Sequence, residues 1–241
     1  MARRPSRPTR RVHSTSNGTP ARESSPSGTD REKIIAAFLT LLAETSIDRI
    51  SLTDIASTAG VTLAQLRGEF GSPLAILAAH LKEIDRAVLA EDFSDMEEEP
   101  PRERLFDVLM RRLEKLAPHR NAMRSLLRSA RGNPPLTLAL NGLAVRSQKW
   151  MLAAAGIGGS GPRGAVRAQG LALLYSSVLR TWVRDDDPGL ARTMAALDRA
   201  LARGQRFVGF LDDLLFIPSR LCRLRPRRRR RDDDEEEAVA A

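Results

Sequence analysis

Apolar residues recur every three or four positions along most of the chain, which predicts helices from about residue 30 to about residue 215. Ile34, Ile35, Phe38, Leu41 and Leu42 mark a first helix, capped by Thr29 and beginning at Asp30. It breaks near Thr45 and Ser46, and Ile47 and Ile50 anchor the connection. Ser51 to Asp54 reads as a capping box, a hydroxyl followed three residues on by an acid, and a second helix runs from it to about Ala59. Gly60 makes a turn, and Thr62 caps a third helix that reaches about Phe70. Ser72 caps a fourth, with Pro73 at the favoured first position. Leu74, Leu77, Leu81, Ile84 and Val88 give it one apolar stripe.

The run "AEDFSDMEEEPP", residues 90–101, interrupts the rhythm and reads as an acidic linker. Beyond it Leu105, Phe106, Leu109, Met110, Leu113 and Leu116 form a stripe that stops at Pro118. Met123, Leu126, Leu127 and Ala130 form another, which stops at Gly132 and the Pro134-Pro135 pair. Longer helices are expected over 136–155, 165–184 and 190–215, joined by "GIGGSGPRG" and "RDDDPG". No strand-like alternation of useful length occurs, so the expected fold is all-α with about nine helices.

Composition sharpens this picture. Hydrophobic residues make up 42% of the 241 positions and aromatics only 4%, a balance that suits packed helices. No uncharged apolar run reaches 18 residues, so no membrane span is expected. The N-terminus lacks the apolar core of a secretory signal. A single cysteine, Cys222, excludes an internal disulfide and a cysteine zinc cluster, and fits the cytoplasm. The net charge of +9 is unevenly spread. Residues 1–28 carry +5, residues 220–241 carry +2, and the 191 residues between carry +2. The expected organisation is a disordered basic arm (1–28), a head of short helices with its connecting helix (29–89), the acidic linker (90–101), a helical body (102–219) and a disordered basic-then-acidic tail (220–241).

Residues 51–70 hold the pattern of a helix-turn-helix. Two helices crossing closely need a small residue in the first, and Ala56 supplies it. The turn needs a residue free to take positive φ, which is Gly60. Leu66 locks the second helix, while Ile55, Val61 and Phe70 fill the space behind it. Leu63, Ala64, Gln65, Arg67 and Gly68 would then face a major groove, with Ser51, Thr53 and Thr62 beside them. Gln65 has the chemistry to pair with adenine, and Arg67 to hold a phosphate. Yet the stretch 54–70 sums to −1, which is an unusual charge for a DNA reader.

The segment "SLTDIASTAGVTLAQLRGEFGSPLAILAAHL" after an amphipathic helix resembles the N-terminal domain of TetR-family transcriptional repressors. The likeness covers about residues 30–80. It implies a helix-turn-helix head on a helical dimerisation and ligand body, a homodimer on double-stranded operator DNA, and a small apolar ligand in the body. It also implies dimer contacts through the last two long helices. The family usually has Tyr at the position of Arg67, Tyr or His at Glu69, and Lys near Pro73. A carboxylate at residue 69 would repel a phosphate backbone that it faced, and Pro73 loses a phosphate contact. The segment from Arg163 to Gly204 is also similar to TetR-fold, lipid-binding accessory proteins of ubiquinone biosynthesis, which implies a rival lipid- or isoprenoid-binding role.

Phe106, Met110, Trp150, Tyr175 and Trp182 are the candidate lining of a ligand pocket. His13, His80 and His119 show no metal spacing with acids, and "GIGGSGPRG" lacks the Gly-Lys-Ser/Thr of a phosphate loop. No Ser/His/Asp or Cys/His constellation occurs, so no enzyme, cofactor or metal is expected.

Overall fold

The structure, a computed structural model, describes residues 29–96 and 98–216. The expected arm, the end of the body beyond residue 216, the tail and Cys222 lie outside the described residues. Among the described residues there are nine α-helices and no strand. They are α1 (Asp30–Glu44), α2 (Leu52–Ala59), α3 (Leu63–Glu69), α4 (Pro73–Leu89), α5 (Pro101–Leu116), α6 (Arg120–Arg131), α7 (Pro134–Ala154), α8 (Gly161–Trp182) and α9 (Ala191–Phe216).

Local chemistry sets the boundaries. Thr29, Ser51 and Thr62 each close a full capping box, with Glu32, Asp54 and Gln65 answering from the third helical position. Asn133 both ends the α6 connection and caps α7 by accepting from the Leu136 N–H at 3.0 Å. The Pro134-Pro135 pair therefore opens a helix as well as stopping one. α8 starts at Gly161, four residues before the expected 165, because Pro162 sits in its first turn, where the missing N–H costs nothing.

α1 is the hinge of the packing. It meets α2, α3 and α4 on one side and α6 on the other. Ile34, Phe38 and Leu42 are fully enclosed between them. Ser125 on α6 donates to the Thr45 carbonyl at 3.0 Å, and the Asn133 amide donates to Asp48 at 3.0 Å. One hydrophobic core thus runs from the head through α5, α7 and α8 to Leu197 and Leu201 on α9. The acidic stretch 90–101 is a packed connection. Met96 is buried, and Arg111 on α5 lies 4.6 Å over the Phe93 ring and donates to the Asp92 carbonyl. Lys115 and Arg111 both reach Glu91, at 2.7 and 3.3 Å.

Charge also enters the core. Asp85 on α4 receives Arg112 Nε from α5 at 2.9 Å and Ser147 Oγ from α7 at 2.8 Å. Arg112 Nη1 donates to the Tyr175 hydroxyl of α8 at 3.1 Å. All four side chains are buried, so one polar network joins four helices.

Candidate nucleic-acid interface

α2 and α3 meet around Gly60, whose φ of 65° and ψ of 33° lie in the left-handed region. The Val61 N–H bonds back to the Ala56 carbonyl at 3.0 Å, the six-to-one bond of a Schellman turn. Ile55, Ala56, Leu66 and Phe70 are buried, and Val61 is half-buried against the same core. These apolar contacts fix one face of α3 and turn the other outward. Ser51, Thr53, Thr62, Leu63, Ala64, Gln65 and Arg67 are all exposed, and Leu63 keeps 50% of its surface.

The polar groups on this face differ in how free they are. Arg67 has no ion pair or hydrogen bond among the described residues, and its guanidinium lies near Gly71. Gln65 is engaged on both ends of its amide. Its Oε1 accepts from the Thr62 N–H and hydroxyl at 2.8 Å each, and its Nε2 donates to Asp30 at 2.9 Å. The Gln65 amide is therefore spent on holding α3 to the start of α1, and reaching a base edge requires breaking these bonds. Ser51 is a cap whose hydroxyl accepts from the Asp54 N–H at 3.1 Å and meets Thr53 Oγ1 at 2.7 Å. The hydroxyl and N–H of Ser51 hold the Asp54 carboxyl below its usual range.

Glu69 gains a partner that the linear sequence hides. Arg31 on α1 lies 3.7 Å from the Glu69 carboxylate and 3.5 Å from Glu83 on α4, and stacks 4.8 Å over the Phe70 ring. The carboxylate at residue 69 is thereby tied to α1. Pro73 sits at the first turn of α4 behind the Ser72 cap. Across residues 29–89, six basic side chains face eight acidic ones, a net charge of −2, whereas residues 102–219 carry nineteen against nine, a net +10.

Among the described residues, the expected ligand-lining residues are spread between the core and the surface. Tyr175 and Trp182 are packed into the core, with 2% and 0% of their surface exposed. Phe106 and Met110 are half-buried against that core. Trp150 stands outside with 57% exposed, because Ser147, Gln148, Met151 and Leu152 take the inward face of α7. A cavity of 330 Å³ opens instead where α7 meets the glycine loop, beside Lys149, Leu152, Ile157 and Arg167, and none of the five lines it. Sequence reasoning missed Asp85 and Arg112. Their signal was a charge set among buried positions, next to Ile84 and Leu113.

No protein-family model matches the sequence, and no curated protein matches it. Solved structures do. A TetR transcriptional regulator from Nitrosomonas europaea superimposes with a TM-score of 0.58 at 22% identity, over 74% of this chain and 99% of its own. A TetR transcriptional regulator from Rhodococcus sp. gives 0.51 at 19% identity, over 73% and 94%. The chain therefore has the fold of TetR-family transcriptional regulators, an all-α fold with an N-terminal helix-turn-helix. Among the described residues no helix is long and apolar enough to cross a membrane.

Proposed function

We propose that the protein is a cytoplasmic DNA-binding transcriptional regulator that works as a homodimer, with α3 entering the major groove of operator DNA. The observation that carries this reading is the α2–α3 pair. Gly60 and the buried Ala56–Leu66 contact set the two helices, and Arg67, Leu63 and Ala64 stay exposed on the outer face. Paired subunits would place two such faces about 34 Å apart, one turn of duplex. Val166 and Leu173, seven residues apart on α8, and Met194 on α9 are exposed apolar side chains suited to a subunit contact. A small apolar ligand in the body would act through α4, which the Asp85 network ties to α5, α7 and α8, with a coupling of about 1–3 kcal/mol.

The rival reading is a lipid- or isoprenoid-binding accessory protein on the same fold. The net charge of −2 on residues 29–89 is the observation in its favour. One experiment separates the two. Duplex DNA binding is measured by fluorescence anisotropy across a salt series, for the full chain, for Arg67→Ala and for a deletion of residues 1–28. A regulator binds with a steep salt dependence, and Arg67→Ala lowers the slope by roughly 0.9 for each phosphate that the arginine neutralises. No binding by the full chain at low salt, together with a co-purified lipid found by mass spectrometry, would turn the assignment to the rival.

A further inference from the structure

A second concave surface lies far along the chain from the helix-turn-helix. Arg131 at the end of α6, Ser177, Arg180 and Thr181 toward the end of α8, Arg184 just beyond it, and Arg192 at the start of α9 line a pocket of 450 Å³. That volume falls within the range of about 300–1,000 Å³ common to small-molecule sites. All four arginines are exposed, and none has a hydrogen bond or a contact ion pair among the described residues. Like charges gathered this closely repel one another unless an anion sits among them.

The acids nearby are already engaged. Asp185 is buried and accepts from the Thr193 N–H at 2.8 Å and its hydroxyl at 2.7 Å, which with the Asp187 N–H lower its carboxyl. Arg192 feels Asp185 only at longer range. Asp187 holds the start of α9 through the Gly189 and Ala191 N–H groups. Asp186 remains exposed in the same turn. Among the hydroxyls, Ser177 donates to the Leu174 carbonyl, while Thr181 has no side-chain partner among the described residues.

α6 makes the contrast plain. Its arginines at 120, 124, 128 and 131 follow one helical face. The first two are structural. Arg120 donates to the Asp185 carbonyl at 2.8 Å and Arg124 to the Val183 carbonyl at 2.9 Å, which satisfies the end of α8. Arg131 on the same face does neither and turns to the pocket.

We propose that the arginine pocket between α6, α8 and α9 binds a small polyanion, a molecule with at least two phosphate or carboxylate groups. Guanidinium forks pair with either group in two parallel hydrogen bonds. The test is calorimetric titration of the full chain with pyrophosphate and, separately, citrate at low salt. The variants are Arg180→Glu, Arg184→Glu and the charge-matched control Arg163→Glu, at the other end of α8, each checked for an unchanged melting curve. One saturable site per chain is expected. Each pocket variant weakens it about tenfold or more, as loss of a charge-assisted hydrogen bond does, and Arg163→Glu leaves it unchanged. Binding of pyrophosphate alone would assign ligands with phosphate groups, binding of citrate alone ligands with carboxylates, and binding of both polyanions generally. Three results would overturn the proposal: no saturable site for either probe, equal loss in the control, or pocket variants that are monomeric where the wild type is a dimer, with no anion bound. The arginines would in that last case serve a subunit contact.

Discussion

The buried Asp85–Arg112 pair makes a prediction whose sign depends on how it is cut. Arg112→Met leaves the Asp85 carboxylate buried with only Ser147 to bond it. Asp85→Leu leaves the guanidinium buried with only the Tyr175 hydroxyl and ring. Removing one member of a buried pair costs about 3–5 kcal/mol, because the other stays desolvated and uncompensated. Tyr175→Phe removes one neutral partner of a charged group and costs about 1.5–3 kcal/mol. Ser147→Ala costs about 0.5–1.5 kcal/mol, since Asp85 keeps its arginine. The double substitution Asp85→Leu with Arg112→Met removes both charges together, and its cost falls well below the sum of the two single losses. Urea unfolding followed by tryptophan fluorescence measures all five, with the enclosed Trp182 as the reporter. Losses under about 1 kcal/mol for Arg112→Met and Asp85→Leu, or a double variant as unstable as the sum of its parts, would refute the claim that this pair is buried and mutually dependent.

Three further outcomes follow from other sites. Gly60→Ala meets no atom within 4 Å, so its cost is the left-handed backbone alone, about 1–2 kcal/mol in thermal or urea melts, and Gly60→Asn should cost less. Burial, with repulsion from His119 and Arg112, lowers the His80 imidazole to about 4 from its ordinary value near 6.5. The folded chain then binds fewer protons than the unfolded one, so stability present above about pH 6.5 is lost as pH falls toward 4, by up to about 3 kcal/mol, and His80→Gln should flatten that window in unfolding titrations. Asp30→Ala releases the Gln65 amide and removes an acid beside α3, so duplex DNA binding by anisotropy should tighten, and an unchanged affinity would show that this contact does not restrain the reading face.

What could be read from the sequence was local. Thr29, Ser51, Thr62 and Gly60 act through atoms within four residues of themselves, so their caps and turn were visible in the one-dimensional pattern. What could not be read was pairing across distance. Asp85 and Arg112 are 27 residues apart, and Arg31 meets Glu69 across 38 positions. Without Arg31 the acid at residue 69 stood as a conflict with DNA, and without Arg111 and Lys115 the run 90–101 stood only as an acidic linker. The outward position of Trp150 was hidden for a different reason. A 21-residue helix that is apolar on several sides does not declare its phase, and the inward register passes through Gln148 and Met151.

The charge of the head then becomes a question of position. Of its eight acids, Glu69 and Glu83 share Arg31, Asp85 is enclosed with Arg112, and Asp30 holds Gln65 and lies 3.9 Å from Lys33. Asp54 is occupied by its own cap. A net charge of −2 therefore overstates the repulsion that α3 would feel from within a Debye length of about 8–10 Å. It leaves little attraction, however, because Arg67 is the one cation within the α3 segment itself. On the DNA-reading proposal, most of the affinity must come from outside that segment. The sequence offers six arginines against one acid in residues 1–28. Deleting those residues should consequently reduce the salt slope of DNA binding more than Arg67→Ala does. A slope that Arg67→Ala reduces more would place the phosphate contacts on the helix-turn-helix after all.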